Sequence, residues 1–316
     1  MEGPLVVVAA GEPRVRRPAL GFALVFAAAT LFGINGSVAK VALSSGLSSL
    51  RLTEARCAGA WIGLTLIVLI RSPAALRLDR RSVLRLAVFG VAGVALVQLF
   101  YFLAIRRLEI GVALLIQYLG PLFVAIWART FGHERVRARV WAALVLSLAG
   151  LSLMVELWSG ASLDGLGITF ALLSAVIFAV YLLLAEHEVP HRDSISLMAW
   201  GFFFATVFWT IVQPWWSFPA QRVGSTVSLE GRLASWHLPL WALVLWVIVL
   251  GSIVPFTLFV GALRHLSATR VGIAAMLEPV VATIVAWAWL EESLSPLQLA
   301  GAAVVLAGIL LAQTAR

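Results

Sequence analysis

The chain has 316 residues, of which 62% are hydrophobic and 12% charged, with a formal net charge of +8 and a mean hydropathy of +1.01. It is far more apolar than a water-soluble domain of ordinary usage, so water is not its main solvent. Its positive residues are spread over short segments between apolar runs rather than gathered into a nucleic-acid patch, and its single cysteine, Cys57, excludes an intramolecular disulfide or thiolate cluster.

Ten apolar runs approach the ~20 residues needed to cross a ~30 Å hydrocarbon core. In chain order they cover 19–40, 50–70, 83–105, 110–131, 138–157, 164–185, 195–215, 240–262, 268–290 and 295–313, here spans 1 to 10. Backbone groups in lipid must be satisfied within the segment, and these runs lack the alternation of barrel strands, so helices are expected. Residues 1–18 form an N-terminal segment. Its basic cluster before span 1 is similar to the start of a signal peptide, but the apolar run continues past Phe32. The longest connection, 221–237, is expected to be an external polar loop, with Trp215, Trp216 and Trp236 at the membrane interface.

The sequence carries one message twice. Residues 104–154 align without a gap onto 262–312 at an offset of 158, with Arg106 on Arg264, Pro121 on Pro279, Glu134 on Glu292 and Gly150 on Gly308. An earlier stretch repeats at offset 146, with Gly21 on Gly167, Phe32 on Phe178 and Ala39 on Ala185. The repeats, 19–157 and 163–313, hold five spans each, and an odd number of crossings inverts the second copy relative to the first. The expected fold is therefore all-α: a polytopic membrane protein of ten transmembrane helices in two inverted five-helix repeats. Such repeats, rocking about a site between them, are the architecture of secondary transporters.

Charge sets the expected orientation. With a cytoplasmic N-terminus, 16 basic residues fall inside (Arg14, Arg16, Arg17, Arg71, Arg77, Arg80, Arg81, Arg85, Arg129, Arg135, Arg137, Arg139, Arg192, Arg264, Arg270, Arg316) and 6 outside (Lys40, Arg51, Arg106, Arg107, Arg222, Arg232). This bias favours both termini inside, in a bacterial cytoplasmic membrane.

The segments 116–121 (IQYLGP), 276–279 (MLEP), 290–298 (LEESLSPLQ) and 300–308 (AGAAVVLAG) resemble the EamA repeats of the drug/metabolite transporter superfamily. Spans 4 and 9 look closest to bacterial amino-acid and metabolite exporters of the threonine/homoserine type. The resemblance extends from about residue 20 to 312. It implies a transport fold rather than one substrate, because fold alone does not fix function.

Polar groups inside spans are costly, so each is a candidate for the site. Glu278, near the middle of span 9, directly precedes Pro279, which removes a donor and frees the carbonyl of Ala275. A carboxyl at that depth is expected to be neutral or paired, binding a substrate amine, exchanging a proton or bonding a neighbouring helix. Its repeat mate is Gly120, so the site cannot be symmetric. Pro121 and Pro279 would kink or open equivalent positions of spans 4 and 9. Gln117 and Tyr118 precede the first kink, while Gln98 and Tyr101 lie in span 3, offering neutral contacts to a polar molecule or between helices. Asn35 of span 1 matches Tyr181 of span 6, and inversion would place them toward opposite faces. Arg56, about one turn into span 2, resembles an arginine found there in the family and would attract a carboxylate or snorkel outward. Glu54 is read as an acidic residue of the first turn, favoured by the helix dipole.

His187-Glu188-Val189-Pro190-His191 has the H-E-x-x-H form of zinc proteases, but Pro190 breaks the helix that would hold both histidines on one face. No metal, cofactor or enzymatic reaction is expected. No phosphate-binding loop is present, so energy would come from a gradient.

The sequence thus reads first as an exporter of amino acids or related small polar metabolites working by alternating access. Its partners would be the bilayer, protons as a coupling ion and a second copy of the chain. A carrier of drugs, phosphorylated sugars or nucleotide sugars is the first alternative; a phosphosugar site would need several cavity cations, for which only Arg56 and Lys40 are available. A non-transporting membrane enzyme or assembly factor is the second.

Overall fold

The computed structural model describes residues 17–132, 136–156 and 164–314, apart from the Arg81 side chain. Arg14, Arg16, Glu134, Arg135 and Arg316 lie outside the described residues. Among the described residues nine helices are long and apolar enough to cross a membrane: Pro18–Ser44, Ser49–Arg71, Ser82–Ile105, Ile110–Thr130, Gly165–Glu188, Ser194–Val212, Leu240–Ala262, Ala268–Leu290 and Pro296–Thr314. A tenth apolar helix, Ala138–Met154, has 17 residues, about 25 Å of rise. These are spans 1–4, 6–10 and 5 of an all-α integral membrane protein.

Their ends follow local chemistry. Ser48, Asp79, Asp164 and Asp193 precede spans 2, 3, 6 and 7, and each side chain accepts a backbone N–H from the first turn. Pro18 and Pro296 open spans 1 and 10, where a missing N–H costs nothing. The 221–237 connection folds further than expected: β1, Thr226–Ser228, pairs antiparallel with β2, His237–Pro239. Val227 seals an apolar cluster with Val38, Val41, Leu52, Leu240 and Leu243 at that face of the molecule. Trp216 and Trp236 remain exposed.

Four spans depart from a regular α-helix, in equivalent pairs. Spans 3 and 8 contain π-helical segments, Phe89–Leu96 and Val249–Ile253, which overlap at the 158 offset. Spans 4 and 9 are interrupted between Ile110–Gln117 and Gly120–Thr130, and between Ala268–Ala275 and Leu277–Leu290. Each break falls just before the proline, because the proline itself fits the first turn of the new helix.

Contacts between the halves also recur in pairs. Gly21 packs on Leu266, and its mate Gly167 packs on Leu108, the mate of Leu266. Gly150 of span 5 meets Val305 of span 10, while Gly308 meets Ser147. The second pair runs in opposite chain directions, so spans 5 and 10 cross antiparallel about a local two-fold, with glycines permitting the close approach.

Candidate functional site

Pro279 cannot donate to the carbonyl four residues earlier, so Ala275 loses its intrahelical partner. The partner comes from span 4. Tyr118, in the break equivalent to that at Met276, places its hydroxyl 3.3 Å from the Ala275 oxygen and 2.9 Å from Glu278 Oε2. The two discontinuities therefore meet, and one side chain joins them.

A phenol has a single proton to donate. With Glu278 ionised, that proton is best given to the carboxylate, since charge-assisted hydrogen bonds are the stronger kind. When Glu278 is protonated, its carboxyl can donate to the phenolic oxygen, and the Tyr118 proton is released to the Ala275 carbonyl. In this geometry a proton on Glu278 would change the hydrogen bond that Tyr118 gives to span 9.

Arg56 and Tyr101 lie within electrostatic range of Glu278. Among the described residues no ion pair joins Arg56 to Glu278. The Arg56 guanidinium instead lies 5.8 Å from the ring centroid of Phe256 in span 8, a cation–π contact, and its buried Nε has no hydrogen-bond partner. The side chain begins seven residues into the helix, about two turns rather than one. It turns inward to Phe256, which displaces the snorkelling alternative. Arg56, Tyr101 and Glu278 are each only partly buried, whereas Tyr118 is 4% exposed.

Gln98 donates from Nε2 to the Val94 carbonyl at 3.2 Å, and the side-chain carbonyls of Gln98 and Gln117 are buried without partners. Asn35 packs on Gly251 in the π segment of span 8, and Tyr181 packs on Gly93 in that of span 3. These are the same contact in the two repeats. Tyr181 stacks on Phe89, Phe178 and Phe259, and neither its hydroxyl nor the Asn35 carbonyl has a hydrogen-bond partner. Buried groups left without a partner are costly, about 1–3 kcal/mol each.

Several expectations are corrected. Glu54 is not a first-turn residue at the helix dipole: it lies one turn deeper, fully buried, and accepts from Arg51 Nη1 at 2.6 Å. Arg51 also donates to the Gln213 and Pro214 carbonyls and to Ser217, tying span 2 to the end of span 7. The i,i+3 spacing from Arg51 carried that signal. Lys40 pairs with Glu292 at 2.6 Å on the surface, away from any cavity role. Glu188 of the H-E-x-x-H stretch ends span 6 and pairs with Arg85 of span 3 at 3.4 Å. His187 and His191 lie side by side on the turn, and among the described residues no three His, Cys, Asp or Glu side chains group as metal ligands.

The profile of the EamA-like transporter family matches residues 19–156 and 165–314. An uncharacterized transporter of Archaeoglobus fulgidus is 32% identical over 238 residues, 73% of this chain and 76% of that protein. The threonine/homoserine exporter RhtA of Escherichia coli K12 is 26% identical over 263 residues, 83% and 79% of the two chains. The pseudopaline exporter CntI of Pseudomonas aeruginosa is 33% identical over 160 residues, 50% of this chain and 54% of that one. A solved crystal structure superposes with a TM-score of 0.74 at 18% identity, covering 93% of this chain and 96% of the other, which shows the shared fold.

Proposed function

This chain belongs to the EamA-like transporter family, and from that premise we propose that it exports amino acids or closely related zwitterionic metabolites, with protons as the coupling ion. It is a membrane transporter; the substrate class, direction and coupling are our reading. Both termini are taken as cytoplasmic, on the basic bias of the loops that share their face.

The observation that carries this reading is that one carboxyl, Glu278, lies at the paired breaks and one cation, Arg56, turns inward onto Phe256 of span 8, with no ion pair between them among the described residues. Arg56 offers a guanidinium to a substrate carboxylate, and Glu278 offers an acceptor to its ammonium group. Each charge then has a reason to be at that depth, because the substrate supplies the counter-charge that offsets desolvation. A phosphorylated sugar would present two negative charges to a single arginine and to Glu278, which repels them. That argument, with Lys40 already paired, favours the zwitterion.

Proton coupling follows from the Tyr118 arrangement. An ammonium group at Glu278 and a proton on Glu278 compete for the same oxygen, so loading one favours release of the other. The test is a flux assay on purified protein in liposomes, with threonine, homoserine and other radiolabelled amino acids under an imposed proton gradient. Accumulation of an amino acid against its gradient, driven by the proton gradient, supports the reading. Transport of amines lacking a carboxylate at the same rate would overturn it.

A further inference from the structure

Away from the central site, the flank of the molecule holds a cleft between spans 2 and 8, one from each half. The two spans pack through Leu240–Ile248 and Val249–Ile253, where Gly63 leaves room for the Ile253 side chain. Beyond that contact they part. The opening, about 430 Å³, is walled by Leu64, Ile67 and Ile70 of span 2 and Val254 and Leu258 of span 8, with Ile195 of span 7 beside them. Arg71, the last residue of span 2, stands in its lining as the single charged group. It is exposed and makes no ion pair among the described residues.

We propose that this cleft binds an anionic phospholipid, with an acyl chain between spans 2 and 8 and the phosphate on Arg71. The aliphatic walls lie on a lipid-exposed flank, where Leu66 is 54% and Ile70 84% exposed, so the cleft is filled from the bilayer rather than from water. Its volume falls in the range of small-ligand cavities. Arg71 sits at the end of the helix, at headgroup depth, on the face that carries the loops 72–79, 189–193 and 263–267. That face holds the excess of basic residues, and in the topology proposed above it meets the leaflet rich in anionic lipid.

A second flank groove provides an internal contrast. It lies between spans 2 and 7, about 480 Å³, lined by Trp61, Phe203, Thr206 and Trp215 among others, and contains no charged residue. It offers a chain a place but gives a headgroup phosphate no cation. Thr257 of span 8 lines the cleft between spans 2 and 8, below the π segment of that span.

The experiment uses the purified full chain in detergent, titrated with phosphatidylglycerol, with phosphatidylcholine of the same acyl chains, and with free glycerol phosphate. Retention is read by native mass spectrometry and stability by thermal shift. Phosphatidylglycerol should be retained about fivefold better than phosphatidylcholine, as one basic residue at an anionic surface gives. Arg71→Gln should abolish that preference, and Ile195→Trp should lower phosphatidylglycerol occupancy with Arg71 intact. Equal retention of the two lipids, an unchanged preference in Arg71→Gln, or an equal shift with glycerol phosphate would each overturn the proposal, the last by showing a simple anion site.

Discussion

Tyr118 and Glu278 face each other across the two helix breaks, with the phenolic oxygen 2.9 Å from the carboxylate and 3.3 Å from the Ala275 carbonyl that Pro279 leaves unpartnered. One residue comes from each half of the molecule. On the proposed mechanism the pair would register both the proton state of the site and the relative position of the halves.

Tyr118→Phe keeps the ring and its edge contact with Phe178 but deletes the donor. A hydrogen bond to a charged group contributes about 1.5–3 kcal/mol. Flux in liposomes should fall by roughly 10- to 100-fold while yield in the membrane stays normal. A variant with undiminished flux would show that the hydroxyl only closes the break in span 9.

Arg85 and Glu188 hold span 3 to span 6 on the face of the termini. Their repeat mates at the opposite face are Leu243 and Ala42, buried together in the apolar cluster. One face is thus closed by charge and the other by apolar contact. Glu188→Gln should raise the labelling of a single cysteine placed in the inner half of span 3, in a Cys57→Ser background, and Arg85→Glu with Glu188→Arg should restore protection. Labelling that is unchanged in Glu188→Gln, or not restored in the charge swap, would reduce the pair to a surface contact.

A methyl group added at Gly150 would fall 2.6 Å from the Val305 nitrogen and 2.7 Å from the Gly301 oxygen. Gly150→Leu should therefore push spans 5 and 10 apart and lower the melting temperature of the purified protein by several degrees. Gly36, with nothing within 4 Å, is the control. Equal melting temperatures for Gly150→Leu and Gly36→Leu would contradict the close crossing.

Burial disfavours ionisation of Asp193, but hydrogen bonds from Ser196 and Ile195 and the charge of Arg264 outweigh it and hold the carboxyl below the ordinary aspartate range. The folded value is depressed, so its stabilisation is complete above the unfolded value and is lost as pH falls through the folded one. Asp193→Ala should cost about 0.5–2 kcal/mol near neutral pH, as N-cap losses do. The difference in melting temperature from wild type should shrink below pH 4, within the ordinary range for aspartate. A difference independent of pH would show that the carboxylate does not act as the cap.

The spans were legible because lipid imposes one length and one composition on every crossing, and the inverted pairing was legible because the two halves still share Gly21 with Gly167 and Pro121 with Pro279. The π segments of spans 3 and 8 were not. They lie where Tyr181 and Asn35 pack on Gly93 and Gly251, partners distant in sequence. The candidate residues around Glu278 were nameable from their cost in lipid, but that Tyr118 bonds both Glu278 and Ala275 depends on how spans 4 and 9 meet. The i,i+3 spacing of Arg51 and Glu54 is visible in the sequence, but that Glu54 is buried beneath Arg51 depends on how span 2 packs against the end of span 7.

The most direct test of the central claim is the pH dependence of flux in Glu278→Gln. Glutamine keeps the shape and an acceptor for Tyr118 but cannot titrate, so proton exchange and hydrogen-bond switching stop together. Wild-type protein in liposomes should transport faster when an inward proton gradient drives substrate export. Glu278→Gln should insert normally, lose most net transport, and show no response of its remaining flux to that gradient. Wild-type flux with an unchanged pH profile in Glu278→Gln would contradict the account and reduce Glu278 to a structural partner of Tyr118.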